Sequence, residues 1–290
     1  MTKIYILIPI YNDWESLVKL LDQINESLYE FNQIEVECII INDASTRSAP
    51  ILTKPSNIKL LKVMNMIENK GHARCNAFGI RYLILNEKFD YLILMDGDGE
   101  DRPVEIKSFL NEISAKPSNS IVAKRVKRSE GLFFKLLYQM HKIITYIFTG
   151  KKINFGNYSC LTKKDVEQIS SKASLWSSYS GTVKKYIKNL KEINSTRGLR
   201  YFGPSKMSLF NLILHSFSII AVFKYQVFFR SLIFLFVLEY LSSILDVNLI
   251  LIQILLIIFC IVIFAVSFRE KEDELQNSQE NLKSVNVITQ

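Results

Sequence analysis

Hydrophobic positions along this chain follow two regimes. Over roughly the first two hundred residues they come in short runs broken by polar turns. Residues 4–8 (IYILI) predict a β-strand that Pro9 is expected to end. Residues 14–27 carry apolar side chains at Leu17, Leu20, Leu21 and Ile24, the spacing of one helix face. Residues 36–41 (VECIII) are almost continuously apolar, as a strand buried on both faces of a parallel sheet requires. Residues 59–64 alternate and predict a third strand. NKGHARCNAFGIRYLI then gives a glycine-containing loop and a helix, and residues 91–95 a fourth strand. The order β, α, β, loop, β, α, β describes a nucleotide-binding α/β layout, with its crevice at the carboxyl ends of the strands.

The second regime is continuous apolarity. Residues 227–245 and 248–267 are each long enough, at about 20 residues, to cross a hydrocarbon core as a helix. The short separation between them predicts a tight hairpin. Lys224 precedes the pair, Arg230 lies in its first turn, and Arg269 and Lys271 follow it, which puts both flanks on the cytoplasmic side. Glu239 is the one acid inside, facing the partner helix or an interface. Residues 208–226 are apolar but interrupted, and predict an amphipathic helix in the membrane plane. The polar tail, residues 269–290, reads as disordered. The expected organisation is therefore an α/β catalytic domain over 1–207, a membrane-proximal helix over 208–226, a transmembrane hairpin over 227–268 and a cytoplasmic tail. The first apolar run has no small-residue cleavage site and fits a strand better than a signal peptide.

Composition agrees with this division. Hydrophobic residues make up 49% of 290, yet the net charge is +8, a pairing unusual for a purely soluble enzyme. The basic excess suits anionic lipid, phosphate-bearing substrates or nucleic acid, and no recognised nucleic-acid module accompanies it. Cys38, Cys75, Cys160 and Cys260 are scattered, without zinc spacing, as in a reducing compartment.

The candidate chemistry lies at strand ends. Asn12 and Asp13, Asn42 and Asp43, then Asp96 and Asp98 follow three strands in turn. No GxGxxG follows the first strand and no GxxxxGK[ST] occurs, so Rossmann and P-loop sites lack their marks. In YLILMDGDGEDRP, Asp96, Asp98, Glu100 and Asp101 crowd the mouth of a buried strand, where like charges repel unless something positive is held there. Carboxylate oxygens with a diphosphate would suit Mg2+ or Mn2+. Gly97 and Gly99 give the backbone room.

Six segments in order resemble one family. IPIYND resembles its P-V-Y-N-E opening, INDAST its D-D-G-S-T segment, and NKGHARCNAFG the N-x-G-H-x-R-A form of a bacterial branch. MDGDGEDRP resembles its D-x-D segment, and FGNYS and RGLRYFGPSKM resemble late motifs. Over about residues 4–230 the chain resembles the GT-A fold family 2 glycosyltransferases, which include dolichyl- and undecaprenyl-phosphate sugar transferases. The resemblance implies a UDP- or GDP-sugar donor. It implies that Asp13 and Asp43 contact the nucleoside, that Asp96 lies near ribose or metal, and that Asp98 ligates the metal. Asn42, Ala44 and Arg47 depart from the family pattern.

Further substrate contacts are expected from Pro9, Tyr11, Asn42, Gly71 and Arg74. Arg125 and Arg128 in the basic run after the strand SIVAKR, and Arg197 and Ser205 in the late motif, are expected to join them. Arg200 and Lys206 are expected to assist catalysis beside Asp96 and Asp98. Alternatives stay open at several positions. Asp13 suits a helix cap as well as a nucleoside. Arg74 suits a phosphate or the acidic loop, and His72 a structural hydrogen bond. The basic run suits solvent, an anionic substrate or headgroups. The aromatic helix from Leu132 suits the sheet, a membrane or an acceptor groove.

An alcohol acceptor needs a base, and Asp165, Glu167 and Glu192 lack the setting for one. Glu100 and Asp101 remain candidates. A phosphate acceptor is already ionised, so a polyprenyl phosphate at the bacterial cytoplasmic (inner) membrane fits both the missing base and the hairpin. Extension of a lipid-linked glycan or polysaccharide, nucleotidyl transfer, and a non-catalytic membrane-bound nucleotide-sugar-binding protein are the competing readings. A homo-oligomer is compatible with the sequence, which sets no oligomeric state.

Overall fold

The short apolar runs meet in one eight-stranded sheet. A computed structural model of the chain describes residues 1–127, 132–204 and 208–289. In chain order the elements are β1 (Thr2–Ile10), α1 (Trp14–Leu28), β2 (Ile34–Asn42), β3 (Leu60–Met66), α2 (His72–Asn86), β4 (Tyr91–Leu94), α3 (Ile106–Ala115), β5 (Ser120–Lys127) and α4 (Leu132–Thr149). They continue with β6 (Ser159–Thr162), α5 (Lys163–Ser170), α6 (Tyr179–Tyr186), β7 (Leu190–Thr196), α7 (Leu209–Ala221), α8 (Lys224–Leu245), α9 (Ile250–Ser267), α10 (Glu272–Gln276) and β8 (Leu282–Ile288). The sheet order is β7-β5-β6-β4-β1-β2-β3-β8. Strands β4, β1, β2 and β3 run parallel, so their carboxyl ends share one edge. Strand β6 is antiparallel to β4 and β5, and β7 is parallel to β5.

Alternation along β1 feeds two cores. Ile4, Ile6, Ile8 and Ile10 pack with Leu17, Leu20 and Ile24 of α1 and Phe109 and Leu110 of α3. Tyr5 and Leu7 pack on the other face with Phe78, Ile80 and Leu83 of α2. Burial of both faces accounts for the near-continuous apolarity of β1 and β2. Gly79 is required here, because a Cβ would enter the Leu7 side chain. Pro9 does not end the strand: β1 runs on to Ile10, with Pro9 beside Ile41 of β2. Its missing N–H is harmless because β4 pairs with β1 only as far as Leu7.

The tail differs from the disordered segment its composition predicts. Leu275 is fully buried, and the Trp176 indole donates to Glu274 at 2.8 Å. Strand β8 then adds antiparallel to the open edge of β3, with Val63 opposite Asn286. Its order comes from backbone pairing, which polar composition does not reveal.

Helices α8 and α9 form the expected hairpin, turning at Asp246 in the left-handed region (φ 51°). By length and composition both are apolar enough to cross a membrane, with mean hydropathy of 1.8 and 3.2 over 18 residues. Most of their apolar side chains are exposed, Phe229, Ile233, Leu251 and Ile261 among them. Glu239 faces the partner helix and accepts from Gln253 at 3.0 Å. Lys224 and Glu270, 3.0 Å apart, tie the two ends of the hairpin. The described part of α4 packs on the hairpin, a setting not among those expected of it: Phe148 meets the Phe234 and Phe259 rings, and Arg230 donates to the Ile147 carbonyl. Helix α7 buries Ser218–Ala221 and leaves Leu209, Phe210 and Ile213 exposed.

Candidate functional site

Three parallel strands end side by side. Strand β1 is followed by Tyr11, Asn12 and Asp13, β2 ends on Asn42 and Asp43, and β4 runs into Asp96–Asp101. The backbone turns sharply at each end: Asn12 and Ala44 sit at φ 56° and 53°, and Gly99 at 88°. These are conformations that Asn tolerates and glycine adopts freely.

The acidic loop is held from several sides. Asp96 Oδ1 meets His72 Nε2 at 2.9 Å and accepts from Asn157 Nδ2 at 3.0 Å. Its Oδ2 accepts no hydrogen bond from the described residues. Asp101, buried, accepts from the Asp96 amide at 3.0 Å and lies 4.0 Å from Arg125. Asp98 Oδ1 accepts from the Glu100 amide at 3.0 Å. After β7 the chain returns over this loop as a strap, residues 197–204. The Gly198 amide donates to the Glu100 carbonyl at 2.8 Å and the Tyr201 amide to the Asp98 carbonyl at 3.0 Å. Arg197 pairs with Glu100, and the Tyr201 ring covers Gly99, where a Cβ would collide with it. The Tyr201 hydroxyl donates to Gln23 of α1. Arg200 then reaches Asp98 at 2.8 Å and Asp13 at 2.5 Å.

Several expected residues have internal partners. The Asp43 carboxylate accepts from the Lys70 and Gly71 amides at 2.8 and 2.9 Å, and so braces the loop that starts α2 at Gly71, φ 87°. Asn42 bonds Asn65 and the Ser45 amide. Asp13 makes no side-chain cap to α1; its carboxylate goes to Arg200 instead. Arg74 forms no bidentate clamp on the acidic loop. It donates to the Lys70 carbonyl and lies over the Trp176 ring. Pro9 is buried in β1, Tyr11 is exposed just past the end of β1, and Arg125 packs against Gly156. Arg128, Ser205 and Lys206 lie outside the described residues. His72 and Asn157 were not singled out as site residues, although GHAR and FGNYS carried them.

The pattern of Glycosyl transferase family 2 matches residues 5–174, a span that holds the three strand ends and the acidic loop. The chain belongs to glycosyl transferase family 2. Among curated relatives of this transferase is the undecaprenyl-phosphate 4-deoxy-4-formamido-L-arabinose transferase of Yersinia enterocolitica, 26% identical over 217 residues. The enzyme of that name from Proteus mirabilis is 26% identical over 220. Each alignment covers 73% of this chain but only 64% and 65% of the relative, so the chain spans under two thirds of their length. Among solved structures, glucosyl-3-phosphoglycerate synthase from Mycobacterium tuberculosis, in complex with Mn2+, UDP-glucose and phosphoglyceric acid, superposes with a TM-score of 0.53. The match has 12% identity and covers 78% of this chain and 80% of that one. The chain therefore has a GT-A-like α/β fold carrying two C-terminal apolar helices.

Electrostatics in the transferase follow from crowding. Burial pushes the Asp96 carboxyl up, but the His72 charge and hydrogen bond, with Arg197 and Arg125, outweigh it and hold it below the ordinary carboxylate range. Burial and then the Asp96 charge push Asp98 up, against Arg200 and Arg197. The same two causes push Asp101 up further. Burial lowers His72, yet Asp96 more than compensates and raises it. On α7, burial pushes His215 down to about 4, helped by the charges of His72, His141 and Arg125. Helix α7 thus brings a side chain within electrostatic reach of the acidic loop, a placement no local pattern marks.

Among the described residues no three His, Cys, Asp or Glu side chains gather as a ready-made metal cluster. Magnesium-type sites commonly use one or two carboxylates and leave the rest of the shell to phosphate and water. Asp96, whose Oδ2 accepts no hydrogen bond from the described residues, and Asp98 fit that donor set.

Proposed function

We propose that this transferase moves a sugar from a nucleoside diphosphate sugar to a polyprenyl phosphate at a membrane, with Mg2+ or Mn2+ held by Asp98 and Asp96. The observation that carries the reading is the convergence of Asp13, Asp96 and Asp98 with Arg200 at the carboxyl ends of parallel strands, in a chain with two exposed apolar helices. Family membership supports a sugar donor, and the names of the curated relatives support a lipid-phosphate acceptor. The basic residues flanking both ends of the hairpin support a cytoplasmic catalytic domain on the bacterial inner membrane.

In this mechanism an acceptor phosphate oxygen attacks the anomeric carbon. The bond from that carbon to the diphosphate oxygen breaks, and the nucleoside diphosphate leaves with the electron pair. A bound divalent ion supplies charge neutralisation at the leaving diphosphate. Arg200 and Arg197 orient the diphosphate with charge-assisted hydrogen bonds, and Arg125 attracts the acceptor phosphate. The two candidate bases are already engaged: Glu100 pairs with Arg197, and Asp101 accepts from the Asp96 amide. An ionised phosphate acceptor needs neither.

The test is transfer from radiolabelled nucleotide sugars by membranes containing the chain, with and without Mn2+ or Mg2+. The expected product is an acid-labile labelled lipid, lost in Asp98→Ala. Label in a polymer, with none in lipid, would move the acceptor to a glycan. Transfer to soluble sugar alcohols but never to lipid phosphate would overturn the acceptor assignment.

A further inference from the structure

All three nitrogens of the Arg200 guanidinium are engaged. Nη1 donates to Asp98 at 2.8 Å, Nη2 to Asp13 at 2.5 Å, and Nε to the Phe202 carbonyl at 3.1 Å. A planar fork spanning two carboxylates is a strong and directional arrangement. The group is largely withdrawn from solvent, with 14% of its side chain exposed. The strap that carries it is fastened by two backbone hydrogen bonds to the acidic loop and by Tyr201 to Gln23. Lys19 adds to the fastening, 4.7 Å from the Tyr201 ring. Arg200 thus spans the acid proposed for the nucleoside and the acid proposed for the metal, where the donor is expected to lie.

We propose that Arg200 is a resident cation that keeps Asp98 from taking up a divalent metal ion until a nucleoside diphosphate arrives with it. The inference rests on the donor reading above. A metal ion alone brings two positive charges against a guanidinium that already neutralises Asp98, so it meets repulsion and must break an ion pair. A metal ion carried on a diphosphate is close to neutral, and the diphosphate offers the displaced guanidinium new oxygens. Arg200 then changes partner from Asp98 to the diphosphate. Metal and donor therefore bind together, under a strap that is already fastened to the acidic loop.

The test is Mn2+ binding without nucleotide, followed by electron paramagnetic resonance on the full chain in detergent. Arg200→Met is expected to bind Mn2+ alone at least about tenfold more tightly than wild type. The gain should vanish when Asp98→Asn is added. Arg200→Lys keeps the charge but cannot span both carboxylates, and is expected to gain less. It also carries the test if Arg200→Met does not fold. Unchanged or weaker Mn2+ binding in the folded variants would overturn the proposal. Sugar transfer by the same preparations separates the two readings. Wild-type transfer with unchanged Mn2+ affinity in the variants removes the Arg200 proposal and leaves the donor assignment. Tighter Mn2+ binding in the variants, with no wild-type transfer from any donor, upholds the role of Arg200 and counts against the donor.

Discussion

The α/β domain and the hairpin use the same apolar residues in opposite ways. In the domain, Ile4, Leu7, Ile40 and Leu92 are fully buried, and the charges of the acidic loop are matched by His72, Arg125, Arg197 and Arg200. In the hairpin, Phe229, Ile233, Phe236 and Ile261 face outward. Water drives the first arrangement by the cost of exposing apolar surface. The second suits an apolar surrounding in which backbone groups are satisfied within each helix. The contrast separates a part that works by fixing charge from a part that works by presenting hydrocarbon.

The largest expected effect is on the charged side. Asp98→Ala should lower transfer by at least about 100-fold, the scale of losing one preorganised electrostatic group. The chain should remain folded, because Arg200 keeps Asp13 as a partner. Next comes the core. Leu7→Ala should cost about 2–5 kcal/mol of domain stability, whereas Leu232→Ala, exposed on α8, should change it by under about 0.5 kcal/mol. Urea unfolding in detergent, followed by Trp14 and Trp176, reads this comparison, since both tryptophans lie in the domain. Equal losses from the two substitutions would break the contrast.

A pH series sharpens it further. The His72 pKa is raised in the folded chain, so its stabilisation is fully present below its unfolded value and is lost as pH rises through the higher folded one. The urea midpoints of wild type and His72→Gln should therefore converge toward alkaline pH. Divergence there would show that His72 is held neutral. A small effect is also expected at the base of the hairpin. Lys224→Ala removes the ion pair at the hairpin base and should cost about 1 kcal/mol or less. A larger loss would mean that the two regions unfold as one.

Much of this architecture was legible locally. Apolar runs marked β1 to β4, and the residues after them marked the edge that carries the candidate site, because parallel strands put their carboxyl ends together. Two unbroken apolar runs marked the hairpin. The misreadings have physical causes. Pro9 reads as a strand end until the limit of β4 pairing is known. Residues 282–288 read as tail because an edge strand is held by backbone hydrogen bonds more than by its side chains.

By itself the sequence determined the alternation of strands and helices, the family motifs in their order and the presence of two long apolar segments. Each of these is encoded by neighbouring residues through periodicity, turn chemistry or length. Only the tertiary structure decided that Arg200 bridges Asp13 and Asp98, that Asn157 and His72 share one oxygen of Asp96, and that β8 closes the sheet beside β3. Those contacts join residues far apart along the chain. Charge pairing and strand addition depend on where the backbone carries each group, and no local pattern records that position.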